Sequence, residues 1–250
     1  MLKSLFKRFS SGTAQEEESI DFTSLNADMH SHLIPGIDDG AKTIEDSLEL
    51  IRFLHSKGYK KLITTPHVMS DYFRNTPETI LEGLAAVKAA VKEAQIPVEL
   101  EAAAEYYIDD GFTRKLEEEK LLTFGDNYLL VEVSYINPPD TIHQVLFRAQ
   151  VLGYKPILAH PERYPFWYRD TDQYKRFYDM GIVLQLNLNS LAGYYGPEAK
   201  RIAEKLIDMQ IIGALGTDMH HTRHANALAM VTREKYLRKI LDMPLINRDL

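Results

Sequence analysis

The sequence predicts an α/β fold on a parallel sheet, best fitted by a seven-unit (β/α)7 TIM-like barrel. Two observations carry this. Seven strand-length apolar segments alternate with helical ones from Leu25 onward. Such alternation implies parallel strands joined by right-handed crossovers. Histidines and carboxylates then stand at the C-terminal ends of five of these strands, the face where parallel barrels build their sites. Seven units are one short of the eight in a standard TIM barrel, and the pattern alone also admits a doubly wound open sheet.

Strands are expected near residues 26–30, 61–65, 98–105, 128–133, 156–160, 182–187 and 211–217. Helices are expected near 44–57, 77–94, 141–152, 170–180 and 197–209, with a last helical segment over 225–241 and a short charged one over 111–120. The signals are chemical. Thr43 with Asp46 makes a capping box ahead of the apolar stripe Ile44, Leu48, Ile51 and Phe53-Leu54. Thr76-Pro77 and Gly196-Pro197 put proline at a first helical position, where its missing N–H costs nothing. Gly58, Gly153 and Gly181 follow helices as left-handed C-terminal caps. No linker, repeat or low-complexity segment interrupts residues 25–245, so 23–250 is expected to be one domain.

Composition narrows the class. The chain has 250 residues, 45% hydrophobic and 26% charged, as in an ordinary globular protein with a sizeable core. A net charge of −7 argues against non-specific nucleic-acid binding. Zero cysteines exclude disulfides, thiolate ligands and cysteine nucleophiles. No apolar run reaches the 18 residues of a membrane span, and residues 1–9 lack the apolar core of a signal peptide, so the cytoplasm is expected. Residues 1–22 read as a flexible basic and polar tail, with weak membrane-surface contact as the alternative.

In Asp28-Met29-His30-Ser31-His32 the two histidines are two apart, so both imidazoles leave a strand on one face and can share an ion. Pro35-Gly36-Ile37-Asp38-Asp39-Gly40 follows. The second strand ends Thr64-Thr65-Pro66-His67, the third at Glu105, the fifth at His160-Pro161-Glu162-Arg163, and the seventh at Thr217-Asp218-Met219-His220. Each alone has a structural explanation; their coincidence at one face predicts a polynuclear metal site. Nitrogen and oxygen donors with several carboxylates suit manganese, iron or zinc. Eight candidate ligands are too many for one ion, so two or three ions are expected, with Glu105 and Asp218 bridging. Arg163 and Arg223, each three residues past a site histidine, match phosphate geometry and favour phosphoester over amide hydrolysis.

Other residues are weaker candidates. His55 and His143 lie in helical patterns, and His221 or His224 is a candidate general acid. Tyr164, Phe166, Trp167 and Tyr168 form a packed loop or an aromatic wall, Glu132 a supporting carboxylate, and Tyr194-Tyr195 and the loop 71–74 part of the mouth.

These motifs resemble the PHP (polymerase and histidinol phosphatase) superfamily. Within it they are most similar to the bacterial manganese-dependent protein tyrosine phosphatases of capsule and exopolysaccharide loci, over roughly residues 25–225. The resemblance implies a distorted seven-stranded barrel, the PHP fold, holding up to three ions. It implies ligand roles for His30, His32, Asp39, His67, Glu105, His160, Asp218 and His220, and phosphate contacts from Arg163 and Arg223. The loop after His220 is shorter here than in many relatives. The implied substrate is phosphotyrosine on the tyrosine-rich tail of a membrane-anchored bacterial tyrosine kinase that controls polysaccharide export. The expected reaction is in-line attack on phosphorus by a metal-bridging hydroxide, with no covalent phosphoenzyme. The rival readings are a phosphoesterase of small molecules, such as histidinol phosphate or a nucleotide, and a non-catalytic phosphotyrosine binder.

Overall fold

A computed structural model describes residues 21–250. The readings made for residues 1–20 lie outside the described residues. Phe22, next to the expected domain boundary, is fully buried and stacks on Tyr59 with ring centroids 5.4 Å apart.

Nine strands and nine α-helices are present among the described residues. The strands are β1 (Ala27–Asp28), β2 (Lys61–Thr64), β3 (His67–Val68), β4 (Glu99–Ala102), β5 (Glu105–Tyr107), β6 (Tyr128–Glu132), β7 (Lys155–Ala159), β8 (Val183–Asn187) and β9 (Ile212–Gly216). The helices are α1 (Ile44–Ser56), α2 (Pro77–Glu93), α3 (Asp110–Glu118), α4 (Ile142–Val151), α5 (Thr171–Asp179), α6 (Leu188–Leu191), α7 (Pro197–Asp208), α8 (Thr222–Val231) and α9 (Lys235–Leu241). All strand pairs are parallel, in a three-stranded sheet ordered β1-β2-β4 and a six-stranded sheet ordered β3-β5-β6-β7-β8-β9. Strand pairing does not join the two sheets. An isolated parallel bridge links Ser31 to Met219, beyond the ends of β1 and β9.

The helix signals act as their chemistry requires. Thr43 and Asp46 form the reciprocal capping box, and Thr76 caps α2 ahead of Pro77. Residues 225–241 do not form one helix, however: α8 ends at Val231 and α9 starts at Lys235. Residues 98–105 likewise split into β4 and β5, because Ala103-Ala104 leave the ladder between them.

Strands β6 and β7 are buried on both faces, as parallel strands covered by crossovers should be. Leu129 and Val131 face the main core with Leu158, while Leu130 and Ile157 belong to a smaller cluster with Met29, Ile63, Ala103, Phe124, Ala159 and Ala214. That smaller cluster lies among the strands, below the ends that carry the histidines. Asp28 fastens its rim: its carboxylate accepts from the backbone N–H of Thr217 at 2.9 Å and from the Thr217 hydroxyl at 2.7 Å. At Gly216 a Cβ would sit 2.7 Å from both Gln185 Nε2 and His30 Cβ. Gly216→Ala is therefore expected to destabilise by about 1–3 kcal/mol through overpacking. Denaturant unfolding checks this, and an unchanged midpoint would contradict the packing described.

Candidate metal centre

His30 and His32 lie just past β1, where Asp218 N–H donates to the His30 carbonyl at 2.8 Å and His32 N–H to the Met219 carbonyl at 2.9 Å. These bonds place the His-x-His segment directly beside the Asp-x-His segment that follows β9. His160 and Asp218 both carry positive φ, 34° and 50°, a left-handed conformation that non-glycine residues adopt at a cost. The turn redirects the chain at the ends of β7 and β9, and both side chains enter the same mouth. His67 opens β3 and Glu105 opens β5, in register with each other.

Four of the atoms so assembled are His30 Nε2, His32 Nε2, Glu105 Oε2 and Asp218 Oδ1. Five separations among them are 3.1, 3.3, 3.4, 3.4 and 3.4 Å. Ligand atoms about 2.1 Å from one cation in tetrahedral array would be roughly 3.4 Å apart. A second group brings His32, Asp39, His67 and His220 together, with Asp39 Oδ1 3.5 Å from His67 Nε2 and 3.4 Å from His220 Nε2. A third joins His67, Glu105 and Glu132. In it His67 Nδ1 lies 3.2 Å from Glu105 Oε2 and 3.0 Å from Glu132 Oε1, yet it is buried without a well-aligned hydrogen bond. A lone pair and carboxylate oxygens converging on one point suit a cation better than one another. The donor set therefore fits divalent metal ions.

His160 stands at the side of these groups, its Nε2 3.0 Å from Glu105 Oε1 and 3.9 Å from Glu132 Oε2. Arg163 donates from Nη1 to Asp218 Oδ2 at 2.6 Å, and its guanidinium lies 4.0 Å from the ring centre of Tyr195 and 5.1 Å from that of Tyr135. Asn187 Nδ2 also donates to Asp218 Oδ2, and Glu162 fixes Asn187 by accepting its backbone N–H at 3.1 Å. Arg163, Asp39, His67, Glu132, His160, Asp218 and His220 line one cleft of about 450 Å³ with Met69, Phe73, Tyr107, Ser134, Tyr135 and Ile136.

Arg223 is not among them. Helix α8 starts at Thr222, immediately after the histidines, so Arg223 occupies its exposed first turn. There it lines a neighbouring cleft with Lys42, Asp46, Glu49 and His221, which shares Asp39 and His220 with the main one. His224 is a poor general acid: it accepts the His220 N–H at Nδ1, and burial lowers its pKa to about 3, so it is neutral at ordinary pH. His55 and His143 make structural contacts, with the Tyr59 carbonyl and with Gln173 and Met180. Of the aromatic loop, Tyr164 and Trp167 are buried in the core, and Tyr164 OH accepts the Val133 N–H. Tyr135, Asp38, Gln185 and Asn187 carry no spacing signature; Asp38 was legible only as part of a turn.

Charge in this cluster is balanced internally. Burial works against the ionised rings of His30, His32 and His67, but the carboxylates facing them prevail and raise all three, His67 to about 9. Burial likewise opposes ionised Glu105 and Asp218, and the imidazoles overcome it and hold both carboxyls low. A ring whose pKa is raised by folding contributes stability below its unfolded value, near 6.5, that fades as pH rises through the folded value. Metal-free protein is thus expected to lose stability between pH 6.5 and about 9, while added divalent metal restores it and releases protons on binding. Unfolding with and without chelator across that range, and binding heats in buffers of different ionisation enthalpy, measure both. A flat pH profile for the metal-free protein would contradict this electrostatic account.

The fold and cluster define the class first: a parallel α/β protein with a candidate polynuclear metal centre at its strand ends. The family follows. The family model described as capsular polysaccharide synthesis, CpsB/CapC, matches residues 26–247, and the chain belongs to that family. It is 28% identical over 200 residues to tyrosine-protein phosphatase YwqE of Bacillus subtilis, covering 80% of this chain and 79% of that one. It is also 28% identical over 200 residues to tyrosine-protein phosphatase CpsB of Streptococcus pneumoniae, covering 78% and 82%. A solved structure described among those of YwqE and CpsB, "unique metal-dependent tyrosine phosphatases", superposes with a TM-score of 0.77 at 25% identity, covering 89% of this chain and 95% of that one.

Proposed function

We propose that this protein is a metal-dependent protein tyrosine phosphatase that hydrolyses phosphotyrosine on the tail of a bacterial tyrosine kinase in capsular or exopolysaccharide biosynthesis. The observation that carries the reading is the spacing of His30, His32, Glu105 and Asp218 as a coordination shell beside Arg163, in a chain of the CpsB/CapC family. His30, His32, Asp39, His67, Glu105, His160, Asp218 and His220 are the proposed metal-holding residues, with Glu132 added by its place beside His67 and Glu105. Two or three ions are proposed, manganese ahead of iron or zinc. When bound, they supply Lewis acidity toward phosphate oxygens and lower the pKa of water.

The chain's own residues do the rest. Arg163 is held by Asp218 and stacked against Tyr195, so its remaining N–H groups are fixed for phosphate. Phe73, Tyr107, Tyr135 and Ile136 give the cleft apolar walls for a flat aromatic leaving group. A phenolate leaving group has a pKa near about 10, so the demand for a general acid is modest. The absence of cysteine accords with a path lacking a thiophosphate intermediate. Arg223 is assigned to the neighbouring cleft, where it contacts substrate flanking the phosphate. Among the described residues no helix is long and apolar enough to cross a membrane.

The same reading covers the architecture. β2 with β3, and β4 with β5, count as single strands broken at Thr65-Pro66 and Ala103-Ala104, giving seven units of a distorted barrel in one domain. The small apolar cluster, with inward residues from β2, β6, β7 and β9 and with Met29 and Ala103 just past β1 and β4, supports this.

Activity on a phosphotyrosine peptide is expected with Mn²⁺, is abolished by chelator, and exceeds that on histidinol phosphate. Equal rates on both would favour a small-molecule phosphoesterase. Replacing His30 and His32 together by alanine is expected to remove activity and metal; surviving activity would refute the catalytic reading. Arg163→Lys loses the paired geometry of the guanidinium, and kcat/KM is expected to fall about 10²–10³-fold, as for loss of an electrostatic donor. Steady-state kinetics with a folded variant read this directly.

A further inference from the structure

The two histidines of the His-x-His segment touch the cluster through Nε2, and what lies behind each ring at Nδ1 is different. His30 Nδ1 is 2.8 Å from Gln185 Oε1. The orientation of that amide is set independently, because the backbone N–H of His160 lies 3.4 Å from the same atom and an N–H can only donate. The atom facing both is oxygen, so His30 carries its proton on Nδ1. His32 Nδ1 is 2.8 Å from Asp38 Oδ2. That carboxylate also accepts the N–H groups of Gly40 at 2.9 Å and His67 at 3.2 Å, as only an acceptor does. His32 therefore also carries its proton on Nδ1.

We propose that Gln185 and Asp38 are positioning residues that fix His30 and His32 in the Nδ1–H form and aim both Nε2 lone pairs into the metal centre. The proposal rests on the metal-holding roles assigned above and goes beyond them. Gln185 is fully buried on β8, at the register shift between Leu184 and Gln185 that disturbs the β8–β9 ladder. A shift of this kind re-aims a side chain. The glycine at position 216 leaves the space that the amide fills. Its Nε2 has no hydrogen-bond partner, a buried polar cost that an apolar residue would avoid. The carbonyl end therefore accounts for the amide's presence. Partners behind a metal-binding histidine set its tautomer and its donor strength. Both rings face Glu105 and Asp218 through Nε2, but the acceptor behind His30 is neutral and the one behind His32 is anionic.

Zinc is the probe for the test, because it is diamagnetic and suits this donor set. Long-range ¹H–¹⁵N spectra of Zn²⁺-loaded wild-type protein are expected to show the ring protons of His30 and His32 on Nδ1. Gln185→Met keeps the length and removes the acceptor, and a competing chromophoric chelator should report about 10–100-fold weaker Zn²⁺ binding. Gln185→Glu retains an acceptor oxygen and should recover most of that loss, which a merely space-filling role would not require. Asp38→Asn, which puts an amide N–H₂ against one of its donors, should weaken binding similarly. A proton on Nε2 of either wild-type ring overturns the proposal, even if a variant fails to fold. Zn²⁺ affinity within about twofold of wild type in folded Gln185→Met overturns it as well. Wild-type protein that binds no zinc would instead refute the metal-centre reading itself.

Discussion

Glu105 is the point on which the site depends. It is fully buried at the start of β5, with His30, His32 and His67 nitrogens within 3.4 Å of Oε2 and His160 Nε2 3.0 Å from Oε1. An isolated carboxylate at such depth would be neutral, because desolvation outweighs any single hydrogen bond. Four imidazoles reverse the balance. The same convergence makes the arrangement costly without cations, since the rings of His30, His32 and His67 must be protonated to compensate the carboxylates that face them, while burial keeps His160 neutral. Metal binding substitutes a fixed charge for mobile protons, and the site's donors are held ready for that exchange.

The fold supplies the convergence by interrupting its own strands. Where the ladder stops after β2 and β4, the chain restarts at His67 and Glu105, one step in register with each other. Where β7 and β9 end, left-handed residues turn His160 and Asp218 into the mouth. Around them a polar shell fixes each group in turn: Arg163 and Asn187 on Asp218, Asp38 on His32, and Gln185 on His30. Strain and breaks in regular structure thus sit at the functional end, and the apolar clusters below it are regular and fully packed.

Much of this was legible in the chain. The capping box at Thr43, the prolines at 77 and 197 and the apolar periodicities place most helices within a residue or two of their observed bounds. The histidine and acidic residues stand out because they close strand-like runs, and each expected metal-holding residue lies at the common mouth. Arg223 is the contrasting case. Its spacing from His220 equals that of Arg163 from His160, yet helix α8 begins between them and carries it to an adjacent cleft. The apparent helix 225–241 and strand 98–105 are similar: pattern marks apolar faces but not the breaks within them.

What the sequence determined by itself is the chemistry available: imidazoles and carboxylates at strand ends, an arginine for phosphate, and no thiol. These follow from residue type and local periodicity, which act over a few residues. Only the tertiary structure decided which of those groups meet and what stands behind them. Glu132, Gln185, Asn187 and Tyr135 acquire meaning from neighbours brought from strands far away in sequence. Their signal is a distance of about 3 Å across the fold rather than a spacing along the chain.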